Sequence, residues 1–183
     1  GLVTSNGGKL TVLSEVNFGR GTIDMGSGEV VLPPLVTKSA ANAQGTINSS
    51  LVRLATPATE FRLIDVGVPV ELEINATIAD SASGASQFVK SFDDSAVRLT
   101  GANTYTGGTV IQRGTLRVDN TTGSATGTAG VIVQALGRLE GDGAVSGSVL
   151  VASNGVFAPG SSIGSLATGP LTLFAGSQSQ VQI

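Results

Sequence analysis

The chain has 183 residues, of which 40% are hydrophobic, 26 are glycine and only 4% are aromatic, with no tryptophan. It has neither histidine nor cysteine, so the commonest general base, the commonest transition-metal ligand and all thiol chemistry are missing together. A net charge of -3 without clustered Lys and Arg argues against a nucleic-acid partner, and no apolar run approaches the ~20 residues of a membrane-spanning helix.

The glycine count is about twice the usual share of ~7%, which signals many tight turns where a positive φ is cheap only for glycine. A core must come from Val, Leu, Ile and Ala, which stack as thin layers. Gly1 in place of Met, with no leader sequence, reads as an excised or processed fragment.

Along the chain, Gly8-Lys9-Leu10 and Gly28-Glu29-Val30 open similar short apolar runs 20 residues apart. Residues 33–57 look irregular: Pro33-Pro34 cannot donate to a strand ladder, and a small polar run follows from Ser39 to Ser50. This stretch is expected to project as an insertion, either a plain connector or an exposed binding loop. Lys38 to Gln44 offers the best helical period in the chain, one or two turns at most.

From Val70 to Ile74 apolar and acidic residues alternate with period two, as in a strand with one buried face. Glu71 and Glu73 are expected on its outer face, roughly 7 Å apart. That separation suits glycosidic acid–base work, although such pairs usually serve solubility. The same alternation returns in Thr115-Leu116-Arg117-Val118, Leu171-Thr172-Leu173 and Val181-Gln182-Ile183. Glycines precede apolar residues by two positions at Gly114, Gly137 and Gly155, separated by 23 and 18 residues, with a looser copy at Gly176. A period near 20 in an all-β chain indicates a solenoid, whose turns share one core because none can bury its own apolar face. The expected fold is a right-handed parallel β-helix.

Other candidate chemistry is thin. Gly160-Ser161-Ser162-Ile163-Gly164 fits the nucleophile-elbow spacing, but that motif needs a histidine partner and a following helix. Asp93-Asp94, Asp119-Asn120 and Glu140-Gly141-Asp142 offer oxygen ligands without the spacing of a calcium loop. Arg113, Arg117 and Arg138 are expected on an outer face, where surface solubility competes with a weak glycan or polyanion contact. No catalytic, cofactor-binding or metal-binding residue is assigned, and the chain is read as non-enzymatic.

Leu99-Thr100-Gly101-Ala102-Asn103-Thr104-Tyr105-Thr106-Gly107-Gly108-Thr109-Val110, followed by Gly114-Thr115-Leu116, closely resembles the passenger-associated transport repeat of bacterial autotransporters. The stretch Gly155 to Leu166, with Ala158-Pro159-Gly160, is similar to a later coil of that family. The resemblance divides the chain into upstream coils at 1–95 and passenger-repeat coils at 96–183. It implies a surface stalk or adhesin scaffold that is exported through, and assists export by, an outer-membrane β-barrel at the C-terminus of the same polypeptide. A host-surface or glycan ligand is an open expectation, and so is self-association through end coils; the rival readings are a self-assembling extracellular fibre subunit and a glycan-active β-helix enzyme. Within the motif, Asn103 and Thr104 suit turn capping or coil-to-coil ladders, Gly107-Gly108 a sharp corner, and Tyr105 a ring packed on the next coil with a wet hydroxyl.

Overall fold

The computed structural model describes residues 2–19, 21–39, 43–160 and 164–181, which hold eighteen strands and no helix. The chain winds around three faces. The first turn places β1 (Leu2–Thr4), β2 (Lys9–Thr11) and β3 (Glu15–Asn17) on the first, second and third faces. Next, β4 (Gly21–Val31) bends across the first two faces and β5 (Leu35–Lys38) covers the third. The pairs β6 (Gly45–Arg53) with β7 (Ala58–Leu63), and β8 (Leu72–Ala79) with β9 (Gln87–Ser91), repeat that plan.

The plan then changes. β10 (Ala96–Leu99) covers only the first face, whereas β11 (Thr109–Val118) and β12 (Val131–Gly141) each run from the third face around a corner onto the first. Short strands complete the stack: β13 (Ala144–Val145), β14 (Val149–Val151), β15 (Val156–Pro159), β16 (Ala167–Thr168), β17 (Leu171–Leu173) and β18 (Gln178–Ser179). Every pairing between these strands is parallel. The all-β solenoid expected from the sequence is what forms.

Parallel register stacks like residues in columns. Ile23, Ile47, Ile74, Leu99 and Val118 form one interior column, and Leu72, Val97, Leu116, Leu139 and Phe157 another. All of them are buried. Each such side chain contributes about 1.5–3 kcal/mol by leaving water, which offsets the chain entropy of ordering a turn that has few local contacts. The Phe61 and Phe88 rings stack at 4.3 Å, and Phe88 stacks on Tyr105 at 6.2 Å.

The described residues of 33–57 do not form an irregular insertion. β5 and β6 lie inside that stretch and pair on both sides in the ladder. The prolines sit at a corner, where no ladder donor is needed, and the Pro34 carbonyl still accepts from the Glu60 N–H at 2.8 Å. The polar run is polar because Thr46 and Asn48 face outward. Its inward positions are Gly45, which leaves room for the Phe18 ring, and Ser49, whose hydroxyl donates to the Gly28 carbonyl at 2.7 Å. The helical period from Lys38 to Gln44 and the last alternating run both include positions outside the described residues (40–42, 182 and 183).

Candidate functional site

The motif at residues 99–116 spends its side chains on neighbouring turns. Added bulk at Gly101 would strike the Ala76 carbonyl, and at Gly107 the Ser86 carbonyl, so both positions require glycine for close approach. The buried Asn103 carboxamide joins three turns: its oxygen accepts from the Ile78 N–H at 2.7 Å, and its nitrogen donates to the Ala125 carbonyl. Thr106 donates its backbone N–H and its hydroxyl to Asp80 at 2.9 and 2.8 Å. Burial alone would raise the Asp80 carboxyl; these bonds and one from the Ser86 N–H outweigh it and hold the group below its ordinary range.

Tyr105 corrects an expectation. Its hydroxyl is not wet but fully buried, sharing a 2.6 Å hydrogen bond with the Thr109 hydroxyl. Burial raises its pKa far above the ordinary value. A phenol can sit in the core because a buried threonine four residues on meets its polar tip.

Glu71 corrects a second one. Glu71 and Glu73 do not share an outer face, because Glu71 belongs to the corner before β8, where the alternation has not begun. The Glu71 side chain is buried, and its carboxylate accepts from the Ala96 N–H at 2.6 Å and the Val66 N–H at 3.4 Å. Desolvation raises its pKa against the pull of those bonds. Glu73 points out, held by Asn75, Gln44 and Arg98. Here burial would raise the carboxyl, but the three hydrogen bonds win and lower it. Two carboxylates on opposite sides of one wall cannot flank a glycosidic bond.

The sequence reading missed two other interior charges at the same corner, Lys38 and Lys90. The Lys38 Nζ donates to the carbonyls of Gly19 at 2.9 Å and Phe18 at 3.4 Å. The Lys90 Nζ donates to the carbonyls of Phe92, Ser91 and Arg113 at 3.0, 3.1 and 3.2 Å. Desolvation lowers both, Lys90 to about 8, with Glu71 opposing the shift in each case. Period two carries the signal: Lys90 shares the inward phase of Phe88, and Lys38 that of Val36.

The first face carries a charge ladder outside. Arg98 bridges Glu73 at 3.1 Å and Asp119 at 2.6 Å, and Arg117 meets the same Asp119 oxygen at 2.7 Å. Arg138 pairs with Glu140 at 2.6 Å, and Arg113 at the corner pairs with Asp94 at 3.2 Å. Burial would raise Asp119, yet its bonds from Arg117 and Arg98 hold it low. An open groove of about 660 Å3 lies beside this ladder, lined by Arg98, Arg117, Asp119 and Asp142 among others. The acids weighed as cation ligands are engaged: Asp93 accepts from the Asp65 and Asp94 N–H groups, and Asn120 binds Thr122, Gly123 and Ala144 backbone. Among the described residues no group of three or more His, Cys, Asp or Glu is placed to hold a metal ion. Ser161, Ser162 and Ile163 of the Gly-x-Ser-x-Gly run lie outside the described residues.

Residues 95–118 match the family model described as Passenger-associated-transport-repeat. No curated protein and no solved structure matches the chain. The matched segment spans β10, the Asn103–Tyr105 turn and β11, so it coincides with the turn whose side chains bind the coils above and below it. A structural role fits this family and fold. The chain is a parallel β-solenoid carrying an autotransporter passenger repeat.

Proposed function

We propose that the chain is a non-enzymatic passenger segment that holds an extended stalk off a bacterial surface, presents adhesive faces to a host-surface or glycan ligand, and assists its own export. In this reading the polypeptide continues into a C-terminal outer-membrane β-barrel, and residues 96–183 form the unit that stacks first outside the membrane. One observation carries the reading: Gly101, Asn103, Thr106 and Gly107 of the passenger repeat are committed to contacts with neighbouring coils. A segment that makes each turn a template for the next resists sliding back, because every added rung buries another apolar layer.

The test uses the full polypeptide with its barrel. Gly101→Ala, which collides with the preceding turn without altering surface charge, is expected to cut the protease-accessible passenger on intact cells severalfold while the barrel still inserts. Display at the wild-type level would remove the export part of the reading. Sedimentation of the purified chain separates a monomeric rod from the fibre alternative.

A further inference from the structure

The buried Lys90 has a consequence at the surface. Its ammonium takes three main-chain carbonyls, two of them from Ser91 and Phe92 in its own corner. Turning those carbonyls inward puts Phe92 and Asp93 in the left-handed region, at φ 63° and 43°. For a phenylalanine that conformation is uncommon and stores strain, a pattern concentrated at functional positions. The ring is thrown outward and is 53% exposed, although Phe88, four residues earlier, is fully buried. Glycine at Gly114 is part of the same device, since a Cβ there would sit 2.7 Å from the Lys90 Nζ.

Phe92 lines two shallow grooves. One, of about 360 Å3, is lined by Glu60, Arg62, Ser91, Phe92 and Gln112. The other, of about 300 Å3, shares Phe92 and Arg62 and adds Ile64, Thr37, Lys38 and Glu15. The polar groups beside the ring are prearranged. Arg62 donates to both Glu60 oxygens at 3.1 Å, and the Ser91 hydroxyl, itself 5% exposed, donates to the same carboxylate.

We propose that this corner binds a neutral saccharide, with the Phe92 ring as the stacking platform and Glu60, Arg62 and Gln112 as the hydroxyl-recognising groups. A pyranose has an apolar C–H face that an exposed ring covers, and a rim of hydroxyls that a fixed carboxylate and guanidinium can bind through paired hydrogen bonds. Charge selects against acidic glycans: Glu15, Glu60, Asp65, Glu71, Asp93 and Asp94 outnumber Lys38, Arg62, Lys90 and Arg113 around the corner, and Glu60 and Arg62 largely neutralise each other. Each groove is sized for one or two sugar rings. Lys90 acts as a positioning residue, never touching the sugar. The proposal deepens the adhesive part of the reading above and fails separately from it, because surface display does not depend on Phe92.

Titration of the purified chain by NMR with maltotriose, cellotriose, chitotriose and N-acetyllactosamine, and with trigalacturonic acid as the acidic probe, tests it. At least one neutral oligosaccharide is expected to bind with millimolar or better affinity and to shift the amides of residues 60–62, 91–93 and 112. Phe92→Ala and Phe92→Gly should each weaken that binding about tenfold or more, whereas Phe92→Trp retains it and Arg138→Ala on another face leaves it unchanged. Lys90→Met should weaken it while the circular dichroism of the folded solenoid persists. No neutral binder, binding that survives Phe92→Ala, or a preference for trigalacturonic acid would each overturn the proposal, as would capture of a defined protein ligand at Phe92 with no sugar competing.

Discussion

The turns before residue 95 and the turns built on β11 and β12 solve the same geometric problem at different corners. Upstream, β4 and β6 bend from the first face onto the second through register shifts between Asp24 and Gly26 and between Asn48 and Leu51. They leave the third face by loops, and that corner holds Lys38, Glu71 and Lys90 inside. Downstream, β11 and β12 pass the corner from third to first face as continuous strands, with a shift between Ile111 and Arg113, and glycine stands there at Gly114 and Gly137. A Cβ at Gly137 would strike the Ile111 carbonyl. The contrast teaches what a corner requires. At the third-to-first corner a strand that bends through leaves no room for a side chain at Gly114 or Gly137, while a loop that leaves its carbonyls pointing inward needs a donor, here an ammonium. Once the long strand moves to the third-to-first corner, the second face shrinks to a turn, and the neutral Asn103 amide holds it.

The sharpest way to break the downstream plan is Gly101→Ala. The new methyl must displace Ala76 backbone, which cannot give as a side-chain tip can, so a loss of about 4 kcal/mol or more is expected. Urea unfolding should show it as a lowered midpoint, and exchange protection should fall first in residues 99–118. Asn103→Ala comes next: it orphans the Ile78 N–H and the Ala125 carbonyl, both buried, for a loss of about 2–4 kcal/mol. Asn103→Asp keeps the acceptor but replaces the donor with a second oxygen facing the Ala125 carbonyl. It should be at least as damaging, which sets this site apart from a simple packing position.

Much of this fold is legible in the sequence because the corner glycines and the inward aliphatics recur at nearly the same spacing. Gly114, Gly137 and Gly155 all fall where a strand meets or enters that corner, and the residue two places on is buried at Leu116, Leu139 and Phe157. What misled was polarity read without position. Residues 45–50 look like a loop by composition, yet alternate Gly45, Ile47 and Ser49 inward. Glu71 looks like the start of an alternating strand, but it belongs to the corner before Leu72. Lys38 and Lys90 have the inward phase of their neighbours, and charge argues them outward until the carbonyls that receive them are known. The Phe92 surface had no sequence signal, since its exposure follows from strain imposed by Lys90.

The upstream corner makes a prediction of opposite character, in pH. Lys90 titrates near 8 in the folded chain because burial disfavours its charged form, and near 10.5 when unfolded. Below pH 8 both states carry the proton and the folded state bears the full desolvation cost. Between about 8 and 10.5 the unfolded state binds more protons, so stability rises with pH in that window. From pH 7.5 to 9.5 the rise should be about 2 kcal/mol for the wild type relative to Lys90→Met, measured by urea unfolding at both values. A parallel response in the two proteins would mean that Lys90 is not desolvated as the structure has it.

The smallest effect belongs to the ladder that spans both regions on the outside. Arg98 links Glu73 of β8 to Asp119 beyond β11, bonding across the change of plan on the first face. Partly exposed pairs of this kind contribute about 0.2–1 kcal/mol each and weaken with salt. Arg98→Met should therefore lower stability by about 1 kcal/mol at low ionic strength and by less at 1 M salt, and Arg117→Met by less again because Arg98 still neutralises Asp119. The useful quantity is the double-mutant coupling between Arg98 and Arg117. Both guanidinium groups meet the same Asp119 oxygen, so removing either relieves like-charge repulsion on the other, and the combined loss should exceed the sum of the single losses. Strict additivity would show that the ladder is a row of independent solvated pairs, leaving the interior columns and the Asn103 amide as what joins the two halves of the rod.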